Sequence, residues 1–126
     1  MQYDEFITQV QQRAGFSAPA EAVLATRATL ETLGERLSRV ETRQFATQLP
    51  KELQGYVHQR PEAQVFALEE FFNRVSAREG VRWQQAVAHA RAVMAVVCAA
   101  VSPGEIEDIR RELGPEYEAL FVGNHS

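Results

Sequence analysis

Cysteine and lysine are almost missing from this chain of 126 residues, where Cys98 and Lys51 are the only examples of each. One cysteine excludes an intrachain disulfide, and its apolar surroundings, AVMAVVCAAV, predict a small buried side chain in a reducing compartment. With one lysine, the basic residues are almost all arginines, scattered and matched by acids in both halves at a net charge of −4. No basic face results, so a nucleic-acid partner is not expected, because affinity for phosphate needs clustered cations. No apolar run reaches the ~20 residues needed to span a bilayer. The opening MQYDEFITQV carries acids and no basic stretch ahead of an apolar one, unlike a secretory signal. The expectation is a cytoplasmic protein with no membrane association. Alternation of β-branched residues is also missing, which removes the strand signal.

What is present is written twice. Asp4 to Gly15 (DEFITQVQQRAG) lies over Leu68 to Gly80 (LEEFFNRVSAREG), pairing Glu5 with Glu70, Phe6 with Phe71, Val10 with Val75 and Arg13 with Arg78. Further on, Arg27 falls on Arg91, Ser38 on Ser102, Glu41 on Glu105 and Leu49 on Leu113. The period is about 64 residues, longer than common solenoid units. The fold predicted is all-α, a bundle of about eight helices in one domain over residues 1–126. It comprises two tandem four-helix repeats, residues 2–58 and 67–123, in a pseudo-twofold relation. The link between them is HQRPEAQ, His58 to Gln64. A half of this size buries too little surface to fold alone.

The spacing assigns the first helix of each copy to about Tyr3–Ala14 and Leu68–Glu79. Phe6 and Val10, or Phe71, Phe72 and Val75, form the inner faces, and Gly15 and Gly80 form left-handed ends. Phe66 is placed to staple onto Phe71. The second helix is the longest: Val23, Thr26, Leu30, Leu33 and Leu37 recur at helical spacing, as do Val87, Ala90, Met94, Val97 and Val101. Ser17 is the expected cap of the first long helix, with Pro19 in its opening turn. The second long helix is apolar nearly all round, which predicts that it occupies the centre of the molecule. Ser38-x-x-Glu41 and Ser102-x-x-Glu105 read as capping boxes, in which each glutamate returns to the serine's own N–H. The third helices then carry Phe45 and Leu49, or Ile106, Ile109 and Leu113. Short fourth helices carry Leu53, Tyr56 and Val57, or Tyr117, Leu120 and Phe121.

So doubled, the chain resembles the bacterial family called domain of unknown function 2267. YDEFITQVQQRAG, ATRATLETLGERLS and LPKELQGYV carry the resemblance in the first half. LEEFFNRVSAREG, HARAVMAVV, VSPGEIEDIRREL and PEYEALF carry it in the second. The resemblance implies a small cytosolic helical protein and supplies no catalytic motif. Two departures stand out: Gly114 replaces the proline of the Leu49–Pro50 step, and Ala67 stands where a small polar cap is expected.

Phosphate-binding loops, dinucleotide-binding glycines, CxxC pairs, HExxH and GxSxG are all missing. Neither metal nor cofactor is expected, and no residue is assigned a catalytic role. The paired acids Asp4/Glu5, Glu69/Glu70 and Glu107/Asp108 fall at predicted helix starts, where negative charge complements the macrodipole. Arg27 and Arg91 occupy the same place in the long helices. They are candidates for gripping an anion between the copies, or for pairing with acids such as Glu31. His89 is the only histidine within a long helix; His58 lies in the link and His125 in the tail. Trp83 and Tyr56 are candidate partner anchors. The pattern points to a non-catalytic interaction or self-association module, with a protein partner or a second copy. The alternative is a sensor binding a small anion between the repeats.

Overall fold

Tyr3 starts the first helix, and two acids, Asp4 and Glu5, occupy its opening turn, where they complement the helix dipole. The computed structural model describes residues 1–58 and 62–121; Gln59 to Pro61 of the link and His125 of the tail lie outside it. Among the described residues there are seven α-helices and one 3-10 helix, and no strand. They are α1 (Tyr3–Ala14), α2 (Pro19–Arg36), α3 (Arg39–Ala46), α4 (Lys51–Val57), α5 (Leu68–Glu79), α6 (Trp83–Ala100), α7 (Pro103–Leu113) and η1 (Pro115–Phe121). None of these helices is long and apolar enough to cross a membrane.

Gly15 and Gly80 end α1 and α5 in the left-handed conformation, as their positions predict. The inner faces named from spacing are buried: Phe6, Val10, Phe71, Phe72 and Val75 from α1 and α5, and Phe45, Ile109 and Leu113 from α3 and α7. Thr26, Leu30, Leu33 and Leu37 form a buried stripe on α2, as do Ala90, Met94, Val97 and Val101 on α6. Together these side chains make one continuous core.

Four local expectations change. Ala18, not Ser17, precedes α2. The Glu21 carboxylate accepts the N–H groups of Ser17 and Ala18 at 3.2 and 3.1 Å, and the Ser17 hydroxyl at 3.0 Å. The last short helix is 3-10 instead of α, entered through Gly114 at φ +94°, a backbone conformation that proline could not supply. Cys98 is only half buried. The centre is shared by α2 and α6, which pack against each other. Part of the polar side of α2 is buried too: the Thr26 and Thr29 hydroxyls find no hydrogen-bond partner, but Thr32 and Glu35 do. Thr32 donates to the Ala28 carbonyl at 2.8 Å, and Glu35 accepts from Arg78 at 2.7 Å and from Arg74 at 3.3 Å. A burial argument based on hydropathy alone misses a helix whose charged and polar groups are partly satisfied by neighbours.

Candidate functional site

The serines that begin α3 and α7 cap them as the sequence predicts. Ser38 Oγ accepts the Glu41 N–H at 3.2 Å, and Ser102 Oγ accepts the Glu105 N–H at 3.3 Å. The return half of each box is different. The Ser38 N–H and hydroxyl donate to the Glu112 carboxylate, the hydroxyl at 3.0 Å. The Ser102 N–H donates to Gln48 Oε1 at 2.7 Å. Each serine is thus capped from the other half of the chain, through a residue at the end of α7 or just past α3. The reciprocal role is taken, so Glu41 and Glu105 are released from it.

They turn inward. Glu41 and Glu105 are buried, at 9% and 6% exposure, and one oxygen from each lies with one from Asp108 inside a sphere of mutual distances below 4.8 Å. Glu41 Oε2 and Glu105 Oε2 accept no hydrogen bond from an N–H or hydroxyl group, and the two carboxyls face each other. Burial, then the hydrogen bond to Glu41 and its charge, then Asp108 and Glu112, push the Glu105 carboxyl up to about 8. Asp108 is the shallow member, and its Oδ1 pairs with Arg111 at 3.0 Å. Glu105 also reaches a solvent-facing hollow of about 500 Å³ beside Val40, Arg43, Gln44 and Gln48. Two carboxylates so placed can share a proton or enclose a cation. Local sequence reading placed both glutamates in caps. The overlooked signal is that Gln48 and Glu112 stand 64 residues apart in the sequence, as Ser38 and Ser102 do, each bonding the serine of the other half of the chain.

Arg27 and Arg91 do not meet at a common cavity among those described. Arg27 is exposed; its Nε donates to Glu31 at 3.2 Å, and its guanidinium lies 5.4 Å from the centre of the Tyr56 ring. Arg91 Nε donates to the Ala119 carbonyl at 2.8 Å and so holds η1. Trp83, 43% exposed, meets the Phe72 ring edge-on at 5.8 Å. His89 acquires a partner the sequence did not supply: its Nδ1 lies 2.5 Å from Glu79 Oε2, and the Phe16 ring packs against it at 4.6 Å. Burial raises the Glu79 carboxyl, while His89 works against that shift. The pair borders a hollow of about 270 Å³ that also touches Leu24 and Val81.

A concavity of about 720 Å³ lies between the end of α6, α7 and η1. Cys98, Ile106 and Phe121 form its apolar part, and Arg110, Arg111 and Glu118 its charged rim. Arg110 and Glu118 form an ion pair there, and the Arg110 guanidinium lies 4.8 Å from the centre of the Phe121 ring. The volume falls in the range of ligand and peptide sites.

Residues 3–120, from the first turn of α1 into η1, match the pattern of the uncharacterized conserved proteins called DUF2267. The chain belongs to that family. A comparison with curated proteins finds no match. In this member of DUF2267, the paired glutamates lie within the matched span, as does the groove beside Cys98 apart from Phe121.

Proposed function

We propose that the chain is a non-catalytic binding module that docks a segment of another protein chain in the groove between α6, α7 and η1. The carrying observation is the make-up of that groove: an apolar floor beside Cys98, Ile106 and Phe121 within a rim of Arg110, Arg111 and Glu118. An apolar floor with a few charges at its edge suits a partner's bulky apolar side chain flanked by polar groups. We further infer that the molecule is a single domain of two tandem four-helix copies about a pseudo-twofold axis, with the Glu41–Glu105 pair on that axis. The exchanged contacts, Ser38 with Glu112 and Ser102 with Gln48, support this, since each is the other moved by one repeat length. The alternative, a small anion held by Arg27 and Arg91, has less support, because each guanidinium already engages a group of this chain.

The single cysteine makes the groove testable. In the purified protein Cys98 should react with a thiol reagent. In the assembly recovered gently from the host and resolved by native mass spectrometry, that reaction should slow at least about tenfold, as a buried interface requires. A second copy or a different chain would appear directly in the spectrum. A bare monomer from the host, or an assembly in which Cys98 reacts as fast as in the isolated chain, rejects the groove as the docking surface.

A further inference from the structure

We propose that Glu41, Glu105 and Asp108 form a binding site for one hard divalent cation of calcium size, tying α3 to α7. The cluster has the right donors, since carboxylate oxygens are the ligands of hard cations. It also has the right span. Two oxygens bound to one Ca²⁺ at ~2.3–2.6 Å can be separated by at most about 5 Å. The three candidate oxygens lie within 4.8 Å of one another. Calcium, which accepts irregular sets of oxygen ligands, suits such a cluster better than magnesium, which demands near-ideal octahedral geometry.

Acids at helix starts do not by themselves make a site, and the decisive observation here is separate. Glu41 Oε2 and Glu105 Oε2 are buried with no N–H or hydroxyl donor, in residues at least nine-tenths buried, and the two carboxyls face each other. An unpaired buried carboxylate oxygen is costly, and the ordinary use of these glutamates, the return half of the capping box, has been transferred to Glu112 and Gln48. The structure therefore holds two facing carboxyls whose usual capping role is filled by other residues. The hollow beside Gln44 and Gln48 opens onto Glu105, giving an entry path and room for water to complete the coordination. Opposing charge is modest: Arg43 lines the hollow, and Arg111 holds Asp108 Oδ1 at 3.0 Å. Glu112, the remaining nearby acid, adds attraction. This revises the expectation of no metal, which rested on local motifs. Here the ligands come from helices whose starts are one repeat length apart.

The test uses the full chain, stripped with a chelator and then titrated with CaCl₂ at a pH near 8, where protons compete less. One Ca²⁺ should bind per chain by calorimetry, and about 1 mM CaCl₂ should raise Tm by several degrees. Affinity should fall several-fold when the pH is lowered by about one unit, because the ion and a proton compete for Glu105. Glu105→Gln should retain the helical circular-dichroism spectrum and a cooperative melt but lose the calcium response. Asp108→Asn should weaken the response without abolishing it. A wild-type melt that changes with pH but not with calcium overturns the proposal and leaves a proton-sharing pair. A calcium response that survives unchanged in Glu105→Gln also overturns it, by placing the ion elsewhere. An equal response to MgCl₂ overturns the assignment of ion size.

Discussion

The two ends of the core differ at a close helix approach and at a turn. In the first half, α4 lies directly on α2 at Gly34, where an added Cβ would sit 2.6 Å from the Val57 carbonyl oxygen. In the second half, Cys98 stands one repeat length from Gly34, and Phe121 one repeat length from Val57. There a side chain occupies the space the glycine leaves open, and the two residues wall a groove of about 720 Å³. Gly114 replaces the proline that starts α4, and the following segment winds as 3-10. Close backbone approach closes one end; a single thiol and a changed turn leave the other open. A second contrast runs along the long helices. Thr26, Thr29 and Thr32 of α2 are buried polar groups, whereas α6 buries Ala90, Val93 and Val96 at the corresponding places; buried Glu35 corresponds to exposed Ala99. In the first half Thr32 and Glu35 are held by Arg74 and Arg78 of α5, whereas the second half relies on apolar packing.

The largest effect expected is at Gly34. Gly34→Ala should destabilise by about 3 kcal/mol in urea unfolding, because the colliding atoms are backbone and cannot swing away. Cys98→Ala should cost less than about 1 kcal/mol, since its side chain faces a groove. Equal losses would show that the two ends pack alike.

The next largest effect lies where the halves meet. The Glu105 carboxyl is held up to about 8 in the folded chain, against an ordinary 4.5. Between those values the folded state keeps a proton that the unfolded state releases. Stability therefore falls as pH rises through that window, and the loss is complete above the folded value. In chelator, the fall should be on the order of 2 kcal/mol between pH 5 and 8.5. Glu105→Gln should flatten most of it, leaving the smaller slope due to Glu79, whose carboxyl is also raised by burial. A wild-type curve that is flat across this range would mean the pair is not held as described.

The smallest effect separates the two arginines. Arg91→Ala should cost about 1 kcal/mol, because it removes the donor to the Ala119 carbonyl that fastens η1. Arg27→Ala should stay within about 0.5 kcal/mol, since its partner Glu31 lies four residues along an exposed helix face. Thermal melts of both variants, compared at one pH, would test whether sequence-equivalent residues carry unequal loads. Equal losses would contradict the contacts described.

Much of this fold is legible in the residues. α1 and α5 begin and end where the expected bounds place them, since a glycine stops each and two acids start it. The serines of α3 and α7 cap as their spacing predicts, because that hydrogen bond joins groups only three residues apart. The candidate sites were less visible. Arg27, Arg91, His89, Trp83 and Tyr56 could be named as chemically able side chains, but their partners could not. The contact between Glu79 and His89, for example, joins two helices across a turn. The burial of the α2 polar face was hidden for the same reason, since Arg74 and Arg78 arrive from α5.

Helix positions, their stops and the buried stripes were determined by the sequence alone, through interactions spanning a few residues. The tertiary structure decided which acids finish the capping boxes and where the displaced glutamates point. It also decided which end of the core stays open. Those outcomes depend on groups such as Ser38 and Glu112, distant in the chain and adjacent only after folding. A carboxylate's role is set by the partners and solvent around it, and neither is written in its immediate neighbours.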